Sequence, residues 1–269
     1  MLHAKKEEEK FESSNIMEGM ISVSSVISGR ESGVNTRKIE RVLYDAKKAR
    51  SKEREIAYLK NRAKVHGFEV EAVDEETINS MTVGNSHGGI VAVCSDRQFF
   101  PIVSGDIISD GFYVLLEGIE DPYNFGYALR SIYAAGAEGI ILSERNWMSA
   151  AGVVARASAG ASEQMKIYVG DPTRQIKLFT DAGYVVFASD KTNDSVSVYD
   201  ADMRVPLLLL VGGERRGLSA PTLALSDKTV CIDYGRRFPA ALSAASAASI
   251  ISFEIFRQNR GKNERGKDK

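Results

Sequence analysis

From Phe112 onward, short continuous apolar runs alternate with stretches of helical length, and this pattern constrains the fold more than any other feature of the chain. The runs FYVLLEGI, EGIILSE, QMKIYVG, YVVFASD, PLLLLVGG and KTVCIDY stay apolar without dropping to every second position. A strand with one wet face alternates, whereas a strand covered on both faces does not. Such runs therefore require a parallel sheet with helices on both sides. Helices are predicted between them over 125–135, 150–157, 172–182 and 221–225, with a tightly packed helix over the Ala/Ser-rich run 239–256. The expected fold class is α/β, an open doubly wound sheet.

Ahead of this region the pattern differs. Residues 1–20 mix Lys and Glu with few apolar anchors and read as a flexible extension. Over 35–67, Ile39, Val42 and Leu43, then Ile56 and Leu59, recur on a charged background. This spacing predicts amphipathic helices, with Asn35 or Thr36 as N-cap and Gly67 as C-cap. FEVEAVD then alternates like a strand, EETINSMT reads as a short helix, and GGIVAVCS as a buried strand. A chain of 269 residues suits two cores better than one. The expected division is a small α/β domain over 21–98, a linker over 99–111, the sheet domain over 112–258 and a basic tail over 259–269. From Arg257 the end of the chain carries six basic and two acidic residues.

Composition narrows the function classes. With 43% apolar and 26% charged residues the chain is not of the disordered type. A net charge of −1 gives no bulk attraction to polyanions, so any nucleic-acid role must rest on local basic patches. Cys94 and Cys231 sit inside apolar strand-like runs and read as buried free thiols, which together with the charged N-terminus implies a reducing, cytoplasmic setting. His3, His66 and His87 have no ligand spacing with the cysteines, so no metal is expected. The run 239–256 is long enough to suggest a membrane span. However, its Ala and Ser content and Glu254 favour a packed helix, so no membrane association is expected.

In an open parallel sheet ligands gather at the carboxyl ends of strands, so the loops there are the places to search. The first, EGIEDPYNFGYALRSIYAAGA, places Asn124 at the expected N-cap and Arg130 six residues on. A long helical side chain leaning back toward the N-terminus brings that cation near the amide. An ordinary cap and a surface arginine explain the same residues. The second, LLLLVGGERRGLS, puts Gly212 and Gly213 at a strand end, where a ligand can lie against main chain, with Glu214 next. It lacks the Lys-Ser pair of a P-loop and the GxGxxG of a dinucleotide fold, and a plain turn also accounts for it. The third, CIDYGRRFPAALSAASAASIISFEIF, turns through Gly235, with Arg236 and Arg237 able to hold phosphates, into a helix of small residues.

Taken in order, these three loops resemble the motifs of the SpoU/TrmH family of RNA ribose 2'-O-methyltransferases of the SPOUT superfamily. Asn124 and Arg130 match the first motif, Gly212, Glu214 and Gly217 the second, and Ile232, Gly235 and Leu242 the third. The resemblance spans Phe112 to Phe256. Where the family has Ser-Leu-Asn, this chain has Ala241, Leu242 and Ser243. More weakly, NSHGGIVAV is similar to the segment that closes the family's small RNA-binding domain, which here opens at ISVSSVISGRESGVN.

The resemblance implies a deep trefoil knot in the sheet domain, S-adenosyl-L-methionine as cofactor, a homodimer sharing its active sites, and RNA as partner, ribosomal before transfer. It implies catalytic roles for Asn124, Arg130 and Glu214, and cofactor contacts from Gly212, Gly213, Ile232, Gly235, Leu242 and Ser243. Arg30, Arg236 and Arg237 are the candidate RNA contacts. A guanidinium rarely gives up its proton, so Arg130 is expected to clamp an RNA phosphate and polarise the 2'-hydroxyl, with Asn124 and Glu214 fixing geometry. Two other readings are a non-catalytic RNA-binding relative, which Ser243 favours, and an unrelated nucleotide-binding α/β enzyme.

Overall fold

The computed structural model describes residues 15–83, 87–143 and 150–263. Residues 1–14 of the expected extension, 264–269 of the expected tail and Asn85 and Ser86 of the NSHGGIVAV segment lie outside the described residues. The chain forms two compact units. Among the described residues, one holds those up to 98 together with 150–164, and the other holds 99–143 with 165–263.

The first unit runs β1 (Ile16–Glu18), α1 (Gly19–Glu31), β2 (Ile39–Asp45), α2 (Glu53–His66), β3 (Glu69–Val73), α3 (Glu75–Met81) and β4 (Ile90–Cys94). Its sheet has the order β1-β4-β2-β3, antiparallel on both sides of β4 and parallel between β2 and β3. Two expectations are corrected here. The opening residues are in the sheet from Ile16, pairing with β4, and Met17 is fully buried. The segment 39–45 is a strand and not a helix. A β-bulge between Ile39 and Arg41 breaks its two-residue period, which gives the apolar residues a helix-like three-residue step. The C-cap is as expected: Gly67 ends α2 in the left-handed region at φ 75°.

Two short helices, Ala151–Ala157 and Ala161–Gln164, complete this unit, although in sequence they lie between two strands of the other. Ala151 and Ala155 join the core of Met17, Val23, Val26 and Ile27. The polar attachment is also buried. Arg37 Nε donates to Glu163 Oε2 at 3.0 Å, Asn35 Nδ2 donates to the same oxygen, and Arg97 Nη2 donates to the Val34 carbonyl at 3.2 Å. Arg37 and Glu163 are each 3% exposed. Burial pulls the Arg97 guanidinium down to about 10, with Glu163 acting in the opposite direction.

The second unit runs β5 (Phe112–Glu117), α4 (Pro122–Ala134) and β6 (Gly139–Leu142). The chain then passes through the two short helices above, α5 and α6, and returns as β7 (Ile167–Val169), α7 (Pro172–Asp181), β8 (Val185–Ser189), β9 (Val196–Ser197), β10 (Leu207–Gly212), α8 (Ala220–Leu223), β11 (Lys228–Cys231) and α9 (Ala244–Asn263). The strands form one parallel sheet of order β7-β6-β5-β10-β8-β11-β9, as the continuous apolar runs require. Leu207 to Leu210 are fully buried.

The expected linker is built onto this sheet. Ile102 is buried, Tyr113 Oη donates to the Asp106 carbonyl at 3.0 Å, and Tyr184 Oη to the Ile108 carbonyl at 2.6 Å. The expected tail begins inside α9, where Asn259 is 5% exposed and its Nδ2 donates to the Met203 carbonyl at 3.1 Å. Both cysteines are free, but only Cys94 is buried, and burial pushes its thiol up to about 12; Cys231 is half-buried. No helix of the described residues is long and apolar enough to cross a membrane.

Removing one member of a buried charge cluster strands the others. Glu163→Ala leaves Arg37 and Arg97 without their carboxylate and is expected to cost the first unit about 3–5 kcal/mol. Urea denaturation followed at probes in that unit measures the loss; a change below about 1 kcal/mol, the scale of an exposed pair, contradicts the assignment.

Candidate active site

β5 and β10 are neighbours in register, with Gly212 opposite Glu117, so the turns that follow them leave the sheet side by side. The main chains approach so closely that a Cβ on Gly213 would collide with the Gly118 carbonyl oxygen. One on Gly212 would collide with the Gly217 and Leu218 backbone. Only glycine fits at either position.

The helix after the first turn starts earlier than expected. Asp121 is the N-cap of α4, accepting the Asn124 N–H at 2.7 Å, with Pro122 in the first turn. Asn124 therefore stands inside the helix and is not its cap. Its side chain is freed for another partner: Nδ2 donates to Glu214 Oε1 at 2.5 Å. The same carboxylate oxygen accepts the backbone N–H of Ala244, the first residue of α9, at 3.3 Å. A carboxylate at a helix N-terminus meets both unpaired N–H groups and the positive end of the helix dipole. Glu214 thus joins the turns after β5, β10 and β11.

Ser243, which stands where the resemblance leads one to expect Asn, works as the cap of α9. Its Oγ accepts the Ser246 N–H at 3.1 Å and its carbonyl accepts the Ala247 N–H at 2.9 Å. Asn and Ser are interchangeable in this role.

Two cavities meet at this junction, both lined by Glu214 and Ala244. The larger, about 290 Å³, is bounded by Gly212, Gly213, Ile232 and Leu242 together with Asp190, Lys191 and Tyr234. The smaller, about 170 Å³, is bounded by Gly118, Asp121 and Asn124. Tyr234 closes the larger one: its Oη accepts the Leu242 N–H at 3.1 Å, and Lys191 Nζ lies 5.5 Å from its ring centroid. Tyr234 lies within the third loop, between Ile232 and Gly235, whereas Asp190 and Lys191 carry no motif in the sequence. Their place follows from sheet order, since β8 lies between β10 and β11 and its end forms part of the cavity wall.

The larger cavity suits S-adenosylmethionine. Gly212 and Gly213 line it with main chain, Ile232 and Leu242 give apolar surface, and Asp190 and Lys191 offer opposite charges to an amino-acid moiety.

Asn124, Glu214, Gly212, Gly213, Ile232 and Leu242 are thus brought together. Gly235 and Ser243 line neither cavity. Arg236 and Arg237 are exposed on the turn between Tyr234 and Phe238, whose rings are 6.1 Å apart. Arg130 is exposed on α4, outside both linings, and makes no hydrogen bond or ion pair with any described residue. Arg30 belongs to the first unit, on a separate cavity. Among the described residues no group of three His, Cys, Asp or Glu is placed to hold a metal ion.

Two outcomes test this geometry. Gly213→Ala forces the two turns apart at an overpacking cost of about 1–3 kcal/mol, and calorimetric titration should show S-adenosylmethionine binding weakened about tenfold or more. Ser243→Ala should lower stability by about 1 kcal/mol while Ser243→Asn restores it. Unaltered binding in the first case, or equal losses in the second, would contradict the roles given.

Comparison with known proteins agrees with this arrangement. Residues 111–253, more than half of the chain, match the model of the SpoU rRNA Methylase family, and residues 31–100 match one described as RNA 2'-O ribose methyltransferase substrate binding. A Synechocystis protein named as an uncharacterized tRNA/rRNA methyltransferase is 29% identical over 73% of this chain. The match covers 52% of that protein, so the chain spans about half of its length. The 23S rRNA (guanosine-2'-O-)-methyltransferase RlmB of Shewanella oneidensis is 26% identical over 74% of this chain and 82% of its own. Among solved structures, an AdoMet-bound rRNA methyltransferase from Sinorhizobium meliloti superposes with a TM-score of 0.69 at 26% identity, covering 90% of this chain and 86% of that one. With both its sheet domain and its small domain matched, the chain belongs to the SpoU rRNA methylase family.

Proposed function

We propose that this protein transfers a methyl group from S-adenosylmethionine to a ribose 2'-hydroxyl of structured RNA, ribosomal RNA in the first place. The observation that carries the reading is the shared wall of the two cavities: Glu214 and Ala244 border both, so a cofactor in the larger adjoins a nucleotide in the smaller. The names of the Shewanella and Sinorhizobium proteins support ribosomal RNA and the cofactor.

Bound S-adenosylmethionine supplies a methyl group already activated by its sulfonium, so the protein's work is alignment and proton management. Asn124 Nδ2 is engaged by Glu214, which leaves Oδ1 to accept the hydrogen of an incoming hydroxyl. Glu214, itself held by the first N–H of α9, sets the orientation of that amide. Arg130 clamps the RNA phosphate and polarises the hydroxyl, whose proton is released to solvent water as the oxygen takes the methyl group and the neutral thioether departs.

The position of Arg130 favours a homodimer with shared sites. α4 and α9 pack together and leave Tyr127 52%, Tyr133 40% and Phe253 46% exposed, apolar surface that a second copy would cover, and Arg130 lies on the same helix as the two tyrosines. The trefoil knot belongs to this proposal as well. After β11 the chain returns past β8 and β10 to pack α9 on α4, the course a threaded C-terminus takes. Both features, like a cytoplasmic location, are part of the proposal. The non-catalytic alternative draws on Ser243. A serine that caps α9 in the way an asparagine does keeps the Glu214 junction in place, which supports the catalytic reading.

Arg130→Ala should lower methyl transfer about a hundredfold or more, the scale of losing one charge-stabilising donor, with S-adenosylmethionine affinity unchanged. Labelled methyl incorporated into ribosomal RNA, at linkages that then resist alkali, measures the activity. Retained turnover contradicts the role of Arg130; label in transfer RNA alone, or at alkali-sensitive linkages, contradicts the substrate.

A further inference from the structure

A third cavity lies wholly within the first unit and has no part in the methyl-transfer site. It measures about 200 Å³, below the roughly 300–1,000 Å³ of sites for whole drug-sized ligands, and so suits a single ring system. Its floor is apolar: Val26 and Ile27 from α1, Ile39 from β2 and Phe68 after α2, all buried or half-buried. Gly67 opens one side, since nothing stands within 4 Å of where its Cβ would be.

The rim is polar, and two of its residues are unusual. Arg30, in the last turn of α1, is half-buried yet makes no side-chain hydrogen bond or ion pair with any described residue. Burying part of a guanidinium without a partner costs free energy unless an anion completes it. Glu40 stands at the β-bulge between Ile39 and Arg41, a distortion that re-aims a side chain and here puts residue 40 on the cavity lining. Lys38 adds a second cation at the rim. His66 is held by Glu31 Oε1, with Nε2 at 2.9 Å, and Ser95 Oγ accepts the Lys38 N–H at 2.9 Å.

We propose that this cavity binds one unstacked nucleotide of the RNA, with the base on the Ile27–Phe68 floor, its phosphate on Arg30 and Lys38, and an exocyclic amino group donating to the Glu40 carboxylate. The idea rests on RNA being the substrate and assigns the small unit a selective role in recognising it. Single-stranded and looped RNA is read through splayed bases held on apolar surface and hydrogen-bonded at their edges. Adenine, guanine and cytosine carry an exocyclic amino group to donate to that carboxylate, whereas uracil offers only a ring N3–H flanked by two carbonyl oxygens that repel it, so uracil fits worse.

The test uses the full chain, with the amide resonances of Ile27, Gly67 and Phe68 followed during titration with AMP, GMP, CMP, UMP and inorganic phosphate. At least one amino-bearing nucleotide should shift them saturably. UMP should bind about fivefold more weakly or worse, the scale of forgoing one hydrogen bond at a base edge. Arg30→Ala should abolish the shifts, and Glu40→Val should bring UMP level with the others, with resonances remote from the cavity reporting an intact fold. The proposal is overturned if no nucleotide shifts these amides, if UMP matches the rest in the unaltered protein, or if phosphate alone reproduces the effect. Methyl transfer to RNA is measured separately, so failure here with transfer intact removes the pocket alone, while loss of transfer removes the wider reading.

Discussion

Two strand ends approaching main chain to main chain set the terms for the rest of the second unit. β5 and β10 lie side by side in register, and glycine at 212 and 213 lets the following turns touch where any side chain would collide. That proximity brings Glu214 within reach of Asn124, 90 residues away in sequence, and of the first N–H of α9. Glu214 is exposed, so its bonds add little to global stability. Their effect is geometric, because one carboxylate oxygen holds three turns from three strands.

The first unit relies on a different device. Arg37, Arg97, Glu163 and Asn35 are buried together, and none is tolerable there without the others. Through them a segment that leaves the large sheet after β6 folds with the small unit before returning as β7. Open polar ends at the two cavities around Glu214 and a closed polar cluster in the first unit divide the charged residues between binding surface and architecture.

Six of the seven strands described in the parallel sheet are legible in the sequence as apolar runs; β9, two residues long and not buried, leaves no such run. The strand 39–45 is not legible, because its bulge shifts the apolar residues out of a two-residue period and into a helix-like one. The helix over 19–31 is hidden by a run of Val, Ile and Ser with weak helical preference, although Val23, Val26 and Ile27 keep helical spacing on its buried side. Membership of 150–164 in the first unit depends on buried partners more than a hundred residues distant, which no local window contains.

At the site, Asn124, Glu214, Gly212, Gly213, Ile232 and Leu242 can be named from motif order, since each lies at a strand end or on the segment that follows one. Asn124 looks like a cap in the sequence, but Asp121 offers the better oxygen three residues earlier. Asp190 and Lys191 line the larger cavity only because β8 is inserted between β10 and β11, and strand order is not written in any single segment. The replacement of Asn by Ser243 reads as a drastic change in a motif and as a mild one in a helix cap.

A crystal structure of the full chain grown with S-adenosylmethionine tests the central claim most directly. The account predicts density for the cofactor between Gly212, Ile232 and Leu242, with its methyl group directed to the Asn124 side of Glu214. Density in another part of the molecule, or a cavity at Gly212 left empty under saturating cofactor, would contradict it.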